Sequence, residues 1–565
     1  MSSIPRHFAT IPAGRWGARQ VHYRRAGSGP AVLLLHQSPL SSRDMLPTIE
    51  RWQSRFTCIA PDTPGYGMSD PFGVSEVQME DIAEAVKEFL DALGIERIAV
   101  YGFHTGAMIA AAFAERYPQR CLCAVSNGYV VLTEEERADY VANYLPAFEP
   151  SWDGSHLTWL WARMREQTIF FPWYRKTLAS RLDIDVPSPE RLMVGLVDFL
   201  RAGDNYRVGY RAAFTFRSDA ALTRVRVPML VTASDGDPLA GQMARIRGQS
   251  PSVELRRGGS IDQTFDLCAE FIARHAGADA PEGVPTHPIA GRTWNEMVSV
   301  DGGQLRVRRN TDAGGRTVLV QHDAASSSDI VDPVSRSLIG HAPVLAIDLP
   351  GHGESDNTIG TREVSVARYV EVVWQVLAGL GLDEVDAYGM WGGGLVPLEM
   401  ACQQPRRVHA LVMSDVLWHS GAERAALKAS YTPPIEVSWY GGHLLMCWYL
   451  MRDQGLFWPW FDRTRKGIIR SEPHVDSAMV HRRVIEMLKA PEMWRLAYQA
   501  HFDYPLQAQL ARVRVPTLLC APSWDPNLAH TRAAADANPH CAYRMLPDDM
   551  DAWGPAFIDF LRGGA

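Results

Sequence analysis

His104 lies between two glycines, Gly102 and Gly106, directly after the apolar run Ile98–Tyr101. A free imidazole titrates at about 6.5, so such a residue can move a proton, activate water or attack an activated ester near neutrality. None of these steps needs a cofactor. Other groups with chemical capacity are Asp237 and its neighbour Asp235, Ser260 in a Gly-Gly-Ser loop, the run His36-Gln37-Ser38-Pro39, and His156 and Arg165 in a tryptophan-rich stretch. A second copy of the His104 segment reads Gly389-Met390-Trp391-Gly392-Gly393. An indole has neither nucleophilic nor general-base chemistry, and its bulk is expected to occupy the space a substrate would take.

That second copy belongs to a repeat covering most of the chain. LGIERIAVYGFHTGAM matches LGLDEVDAYGMWGGGL, APDTPGYGMSD matches AIDLPGHGESD, and RVRVPMLVTASDGDP matches RVRVPTLLCAPSWDP. His104 and Trp391 lie 287 positions apart, as do His156 and His443, while Asp237 and Asp525 lie 288 apart. A period of that length is a duplicated domain rather than a solenoid unit. Within each half, short apolar runs alternate with helical patterns, which indicates βαβ units and a parallel sheet. Ala31–Leu35, Thr57–Ala60, Ile98–Tyr101, Cys123–Val125 and Met229–Thr232 read as strands. The expected organisation is a first domain over 1–276 with a helical cap at about 130–222, a Pro/Gly/Ala-rich linker over 277–291, and a second domain over 292–565 with a cap at about 416–512. The two domains are expected to pack as an internal pseudo-dimer.

Composition narrows the function classes. At 565 residues, with 46% apolar and 21% charged residues, the chain has ordinary globular composition and is too long for one core. A net charge of −8 gives no reason to expect a nucleic-acid or anionic-membrane partner. No apolar run reaches membrane-spanning length, and the first residues lack a signal-peptide core. The eight scattered cysteines show no metal-ligand spacing, and the simplest reading is a reducing cytoplasm.

The order and spacing of these motifs resemble the capped α/β-hydrolase superfamily, twice over. Its D-x-P-G-x-G-x-S turn stands at Asp62–Ser69 and again at Asp348–Ser355. Its G-x-S-x-G nucleophile elbow stands at Gly102–Gly106 and Gly389–Gly393, with the serine replaced in both copies. The resemblance implies two α/β domains, each a mostly parallel sheet flanked by helices with a helical cap. It places His104 at the nucleophile position and Asp237 at the acid position, nine residues after Pro228, with Asp525 nine after Pro516. Ser260 and Asp549 are the nearest equivalents of the family histidine. His36–Pro39 matches the oxyanion loop H-G-x-P, so the amides of Ser38 and Thr105 are the expected oxyanion donors. His36, Gln37 and Phe103 are expected beside the substrate, and His156 and Arg165 are expected to reach it from the cap. Asn127 and Asp415 read as equivalent positions, with Asp415 a spare carboxylate.

Two classes of function follow. One is a cofactor-independent enzyme for a small apolar or aromatic carbonyl or ester compound. It would use His104 as general base or nucleophile, as a hydrolase by resemblance or as a lyase or isomerase, and its C-terminal domain would be non-catalytic. The other is a non-catalytic ligand-binding or scaffold protein in which both elbows are relics.

Overall fold

The computed structural model describes residues 4–275 and 277–563. Position 276, the predicted end of the first domain, lies outside the described residues. Two compact units emerge: Ile4–Glu149 with His156–His287, and Pro150–Ser155 with the chain from Pro288 onward. The division falls inside the predicted linker. That segment is tied down. Ala31 N–H donates to Ala278 O (3.2 Å), Thr286 Oγ1 donates to Phe8 O (2.9 Å), and Thr10 Oγ1 donates to His287 O (2.8 Å).

Each unit holds an eight-stranded sheet. The first contains β1 (Arg6–Gly14), β2 (Gly17–Ala26), β3 (Ala31–Leu35), β4 (Thr57–Pro61), β5 (Ile98–Phe103), β6 (Cys121–Asn127), β7 (Met229–Thr232) and β8 (Val253–Leu255), in the order β1-β2-β4-β3-β5-β6-β7-β8. The second contains β9 (Trp294–Val300), β10 (Gly303–Asn310), β11 (Thr317–Gln321), β12 (Val344–Ile347), β13 (Val385–Met390), β14 (Val408–Ser414), β15 (Thr517–Ala521) and β16 (Ala542–Met545) in the same arrangement. The β1–β2 and β2–β4 pairings are antiparallel and the rest of the first sheet is parallel. β3 shows why the runs are continuously apolar: Val32 and Leu34 enter one core, Leu33 and Leu35 the other, so both faces are covered.

The five strands expected in the first half are all present. The β1–β2 hairpin was not expected, for a physical reason. Arg6, Thr10, Arg19, Gln20 and His22 are buried in it, so apolar periodicity is hidden. Two of them meet acids distant in sequence: Arg19 lies 2.5 Å from Glu88 and His22 lies 2.8 Å from Asp62. Between β6 and β7, helices Glu134–Asn143, Ser155–Glu166, Pro189–Ala202, Tyr206–Thr215 and Ser218–Arg224 form the cap, and five helices fill the same interval between β14 and β15.

Asp62 fastens the turn after β4 to its surroundings. Its carboxylate accepts from His22 Nδ1 (2.8 Å), Met68 N–H (2.8 Å) and Ser42 N–H (2.7 Å). Burial works against its charge, but these donors hold it ionised, well below the usual carboxylate range. The same burial keeps the His22 ring neutral. Asp348 accepts from Ser328 N–H (2.7 Å) and Glu354 N–H (2.9 Å) in the second unit. Asp62→Ala strands three buried donors and should cost about 3–5 kcal/mol of N-terminal stability in urea unfolding. With the wild type, the carboxylate's contribution should be complete above about pH 4 and fade as pH falls toward its depressed folded value. Unchanged unfolding of the variant would show that the turn is held by other means.

Candidate functional site

At the end of β5 the chain turns sharply into the helix Thr105–Arg116, with His104 at the apex at φ +49°. The turn is closed by contacts that leave no room for side chains. A Cβ on Gly102 would sit 2.0 Å from Gly106 O, and one on Gly106 would sit 2.1 Å from Leu35 O. The His104 amide donates to Asn127 O (2.9 Å), tying the apex to β6.

The imidazole meets Asp237 directly, Nε2 to Oδ2 at 2.9 Å. Asp237 is nearly buried at the end of the turn after β7, and its Oδ1 accepts from Leu239 N–H (2.7 Å). Burial raises its proton affinity, but the hydrogen bond and charge of His104 outweigh that and leave it below the usual range. An ionised carboxylate only accepts, so Nε2 carries the hydrogen and the Nδ1 lone pair is free for a proton. Nδ1 has no hydrogen-bond partner among the described residues. Phe103 stacks on the ring with centroids 4.0 Å apart. Gly128, at φ +70°, makes space for the pair: a Cβ there would lie 2.3 Å from His104 Cδ2 and 3.0 Å from Asp237 Oδ2.

The His36–Pro39 loop lies alongside: the Gly106 Cα faces Leu35 O and His36 O. His36 is buried with both ring nitrogens occupied, Nδ1 on Gln37 O (2.9 Å) and Nε2 accepting from Thr63 N–H (3.0 Å). Its place is therefore behind the loop, joining it to the Asp62 turn. The amides of Ser38 and Thr105 have no acceptor among the described residues. Gln37 Nε2 reaches Asp44 Oδ2 (3.3 Å). Burial raises the proton affinity of Asp44, while His36, Gln37 and His104 act in the opposite sense. Asp44 is a site neighbour that sequence reasoning missed, because it looks like an ordinary first-turn acid.

Ser260 and Asp235 have partners other than His104. Ser260, aligned with the family histidine, caps the helix Ile261–His275: its Oγ accepts from Gln263 N–H (3.2 Å) and its side chain is exposed. Asp235 pairs with Arg257 (2.8 Å) at the surface. His156 and Arg165 belong to the cap helix Ser155–Glu166, where His156 is buried against Phe148. The guanidinium deep in this cap is that of Arg163, 1% exposed, within 5.7 Å of the rings of Tyr144, Trp173, Phe199 and Tyr206.

The second elbow repeats the first with an indole. Trp391 has φ +51°, and its Nε1 donates to Asp525 Oδ2 at 2.9 Å. The expected blocking of this pocket is overturned. The indole folds down onto the acid and forms the floor of a cavity of about 430 Å³ beneath the cap. Asp549, aligned with the family histidine, uses its carboxylate to cap a short turn at Asp551 N–H.

The model of the family described as "alpha/beta hydrolase fold" matches residues 30–244 and 317–435, more than half of the chain. The chain belongs to the α/β-hydrolase-fold family. It is 35% identical over 95 residues to haloalkane dehalogenase 2 of Mycobacterium tuberculosis, covering 17% of this chain and 33% of that protein. It is 35% identical over 107 residues to 2-hydroxy-6-oxo-6-phenylhexa-2,4-dienoate hydrolase of Comamonas testosteroni, covering 18% and 36%. The chain thus spans about a third of the length of these curated relatives. Among solved structures it is similar to epoxide hydrolase A from Mycobacterium thermoresistibile, with 19% identity, a TM-score of 0.38, and coverage of 48% of this chain and 98% of that one.

Within this α/β-hydrolase pair, strand register corrects one equivalence. Asn127 pairs with Phe103 and Ser414 with Met390, so Asn127 corresponds to Ser414 and Asp415 to Gly128. Asp415 has φ +60° and is buried, with no donor to either oxygen. Its carboxyl faces that of Asp525; burial first, and then the charge of Asp525, raise its proton affinity well above normal. A proton held on Asp415 satisfies both groups. The unfolded chain ionises this group at about pH 4 and the folded chain does not, so stability declines as pH rises above that value. Asp415→Asn, which tolerates the left-handed backbone, should raise the C-terminal melting temperature by a few degrees at about pH 8 and leave it unchanged at about pH 4. A lower melting temperature at the higher pH would mean the proton is not on Asp415.

Proposed function

We propose that the N-terminal domain is a cofactor-independent enzyme acting on a small apolar or aromatic carbonyl compound or ester, with His104 as its general base. The observation that carries this reading is the bond from His104 Nε2 to Asp237, which leaves Nδ1 as the basic nitrogen at the elbow apex. Nδ1 adjoins the ring carbon that bears the main chain, a crowded position for covalent attack but adequate for proton transfer. In the proposed cycle Nδ1 takes a proton from water or from the carbon beside a carbonyl. The imidazolium is held by Asp237 while the Ser38 and Thr105 amides receive the developing oxyanion. Return of the proton to the leaving group or to carbon closes the cycle. Hydrolysis and lyase or isomerase chemistry differ only in what donates the first proton. The Comamonas relative is named for an aromatic keto-acid hydrolysis, which fits the same substrate class. The C-terminal domain, with an indole at its apex, is read as non-catalytic.

Turnover of a panel of aryl esters, lactones and aryl β-diketones, together with exchange of α-hydrogens in heavy water followed by NMR, separates the two chemistries. On any substrate found, His104→Ala should reduce turnover at least about a hundredfold. Asp237→Asn should move the acidic limb of the rate profile toward lower pH, because the protonated imidazole loses its counter-charge. Full activity of His104→Ala on a verified substrate would sink the proposal.

A further inference from the structure

The cavity above Trp391 is of small-molecule size. Its walls are aromatic and apolar, with Trp458, Tyr431, Phe502 and Trp524 among the lining residues and the Trp391 indole as the floor. One cation stands over that floor. The Arg483 guanidinium lies 5.8 Å from the Trp391 ring centroid. Its Nη2 donates to Gln454 Oε1 (2.7 Å), and no carboxylate lies within ion-pair distance of it among the described residues. Five acids and a second arginine, Arg482, share the lining; each acid accepts from another group, Asp549 from the Asp551 amide, and among the described residues only Asp551 is paired with an arginine. Asp525 takes the Trp391 N–H, Asp323 takes the Tyr498 hydroxyl (3.2 Å) and faces His501 (3.3 Å), Asp548 takes the Ser523 hydroxyl (2.7 Å), and Asp551 pairs with Arg336 (3.2 Å).

The N-terminal domain shows what is particular about this arrangement. Gln167, the equivalent of Gln454, also accepts from a guanidinium, that of Arg163 (3.2 Å), but that group is sealed inside the cap among aromatic rings. In the C-terminal cap Leu450 stands at the Arg163 position, and the guanidinium comes from the helix Ser477–Lys489 into the cavity lining. The corresponding stretch of the N-terminal cap helix, Val194–Leu196, carries no charge. A guanidinium over an indole with only a neutral amide as partner has donor capacity left for a planar anion.

We infer that the C-terminal domain is a binding site for a small aromatic carboxylate, its ring held by the aromatic walls and its carboxylate paired with Arg483. This site is independent of any chemistry at His104. The test uses the full chain and calorimetric titration with naphthoate, naphthamide and naphthylmethylammonium as probes. Naphthoate should bind once per chain, at least about tenfold more tightly than the other two, as expected for a charge-assisted pair. Arg483→Gln should erase that preference, Arg483→Lys should retain most of it, and His104→Ala should leave it intact. Absence of naphthoate binding, tighter binding of the ammonium probe, or naphthoate affinity indifferent to Arg483→Gln would each overturn the assignment. The probe comparison on the unmodified protein decides the matter even if a variant fails to fold.

Discussion

At each elbow apex a side chain sits near φ +50°, a conformation an L-residue keeps only when surrounding contacts hold it. In both domains a ring N–H reaches down to a buried carboxylate at 2.9 Å: His104 to Asp237 and Trp391 to Asp525. The backbone conformation costs roughly 1–3 kcal/mol, and a hydrogen bond to a charged group contributes about 1.5–3 kcal/mol, so the two are commensurate. In the family pattern a histidine on a late loop would meet that acid. Here the loop offers Ser260 and Asp549, both occupied as caps, and the elbow side chain itself spans the gap. In each domain the elbow ring thus makes the contact to the acid that the family pattern gives to a loop histidine. A serine hydroxyl is too short to satisfy the acid alone.

The two rings make the same contact and differ in what remains. Imidazole bound through Nε2 retains a basic Nδ1, whereas indole bound through Nε1 retains only carbon. The first ring can take up a proton at the apex and the second cannot. The neighbours track this difference. Beside His104, Gly128 brings no side chain to the acid, which is shared by the His104 ring and the Leu239 amide. Beside Trp391, the same position carries Asp415, which faces a second carboxyl toward the acid and moves its own proton affinity upward.

Most of the architecture is legible in the sequence because the parallel strands are apolar on both faces and the duplication supplies an internal check. The β1–β2 hairpin was hidden because its inward residues are polar and find partners far along the chain, such as Asp62 for His22. At the site, the elbow and the aspartate that meets its side chain could be placed from spacing. What spacing could not show is where a side chain points. His36 faces behind its loop, Ser260 turns to its own helix, and Trp391 folds down instead of standing up. Gly128 could have been found, since a strict offset of 287 places it against Asp415. Arg163 could not, because Arg165 is the one shared by both copies.

Backbone determinants are common to the two domains: the strand order, the turn-locking aspartates Asp62 and Asp348, and the buried histidines His36 and His322, which accept from backbone amides after the neighbouring strand. Differences in function must then arise from side chains laid on one frame. Three places carry them. The apex changes from imidazole to indole, the position beneath it from Gly128 to Asp415, and the cap guanidinium from Arg163, buried in its own helix layer, to Arg483, over the floor of a cavity. Where the N-terminal cap buries Arg163, the C-terminal cap has the smaller, apolar Leu450. Arg483 leaves a positive charge facing open volume, which is tolerable only if water or an anion meets it. Open volume and exposed charge thus occur together in the domain whose apex carries no basic nitrogen.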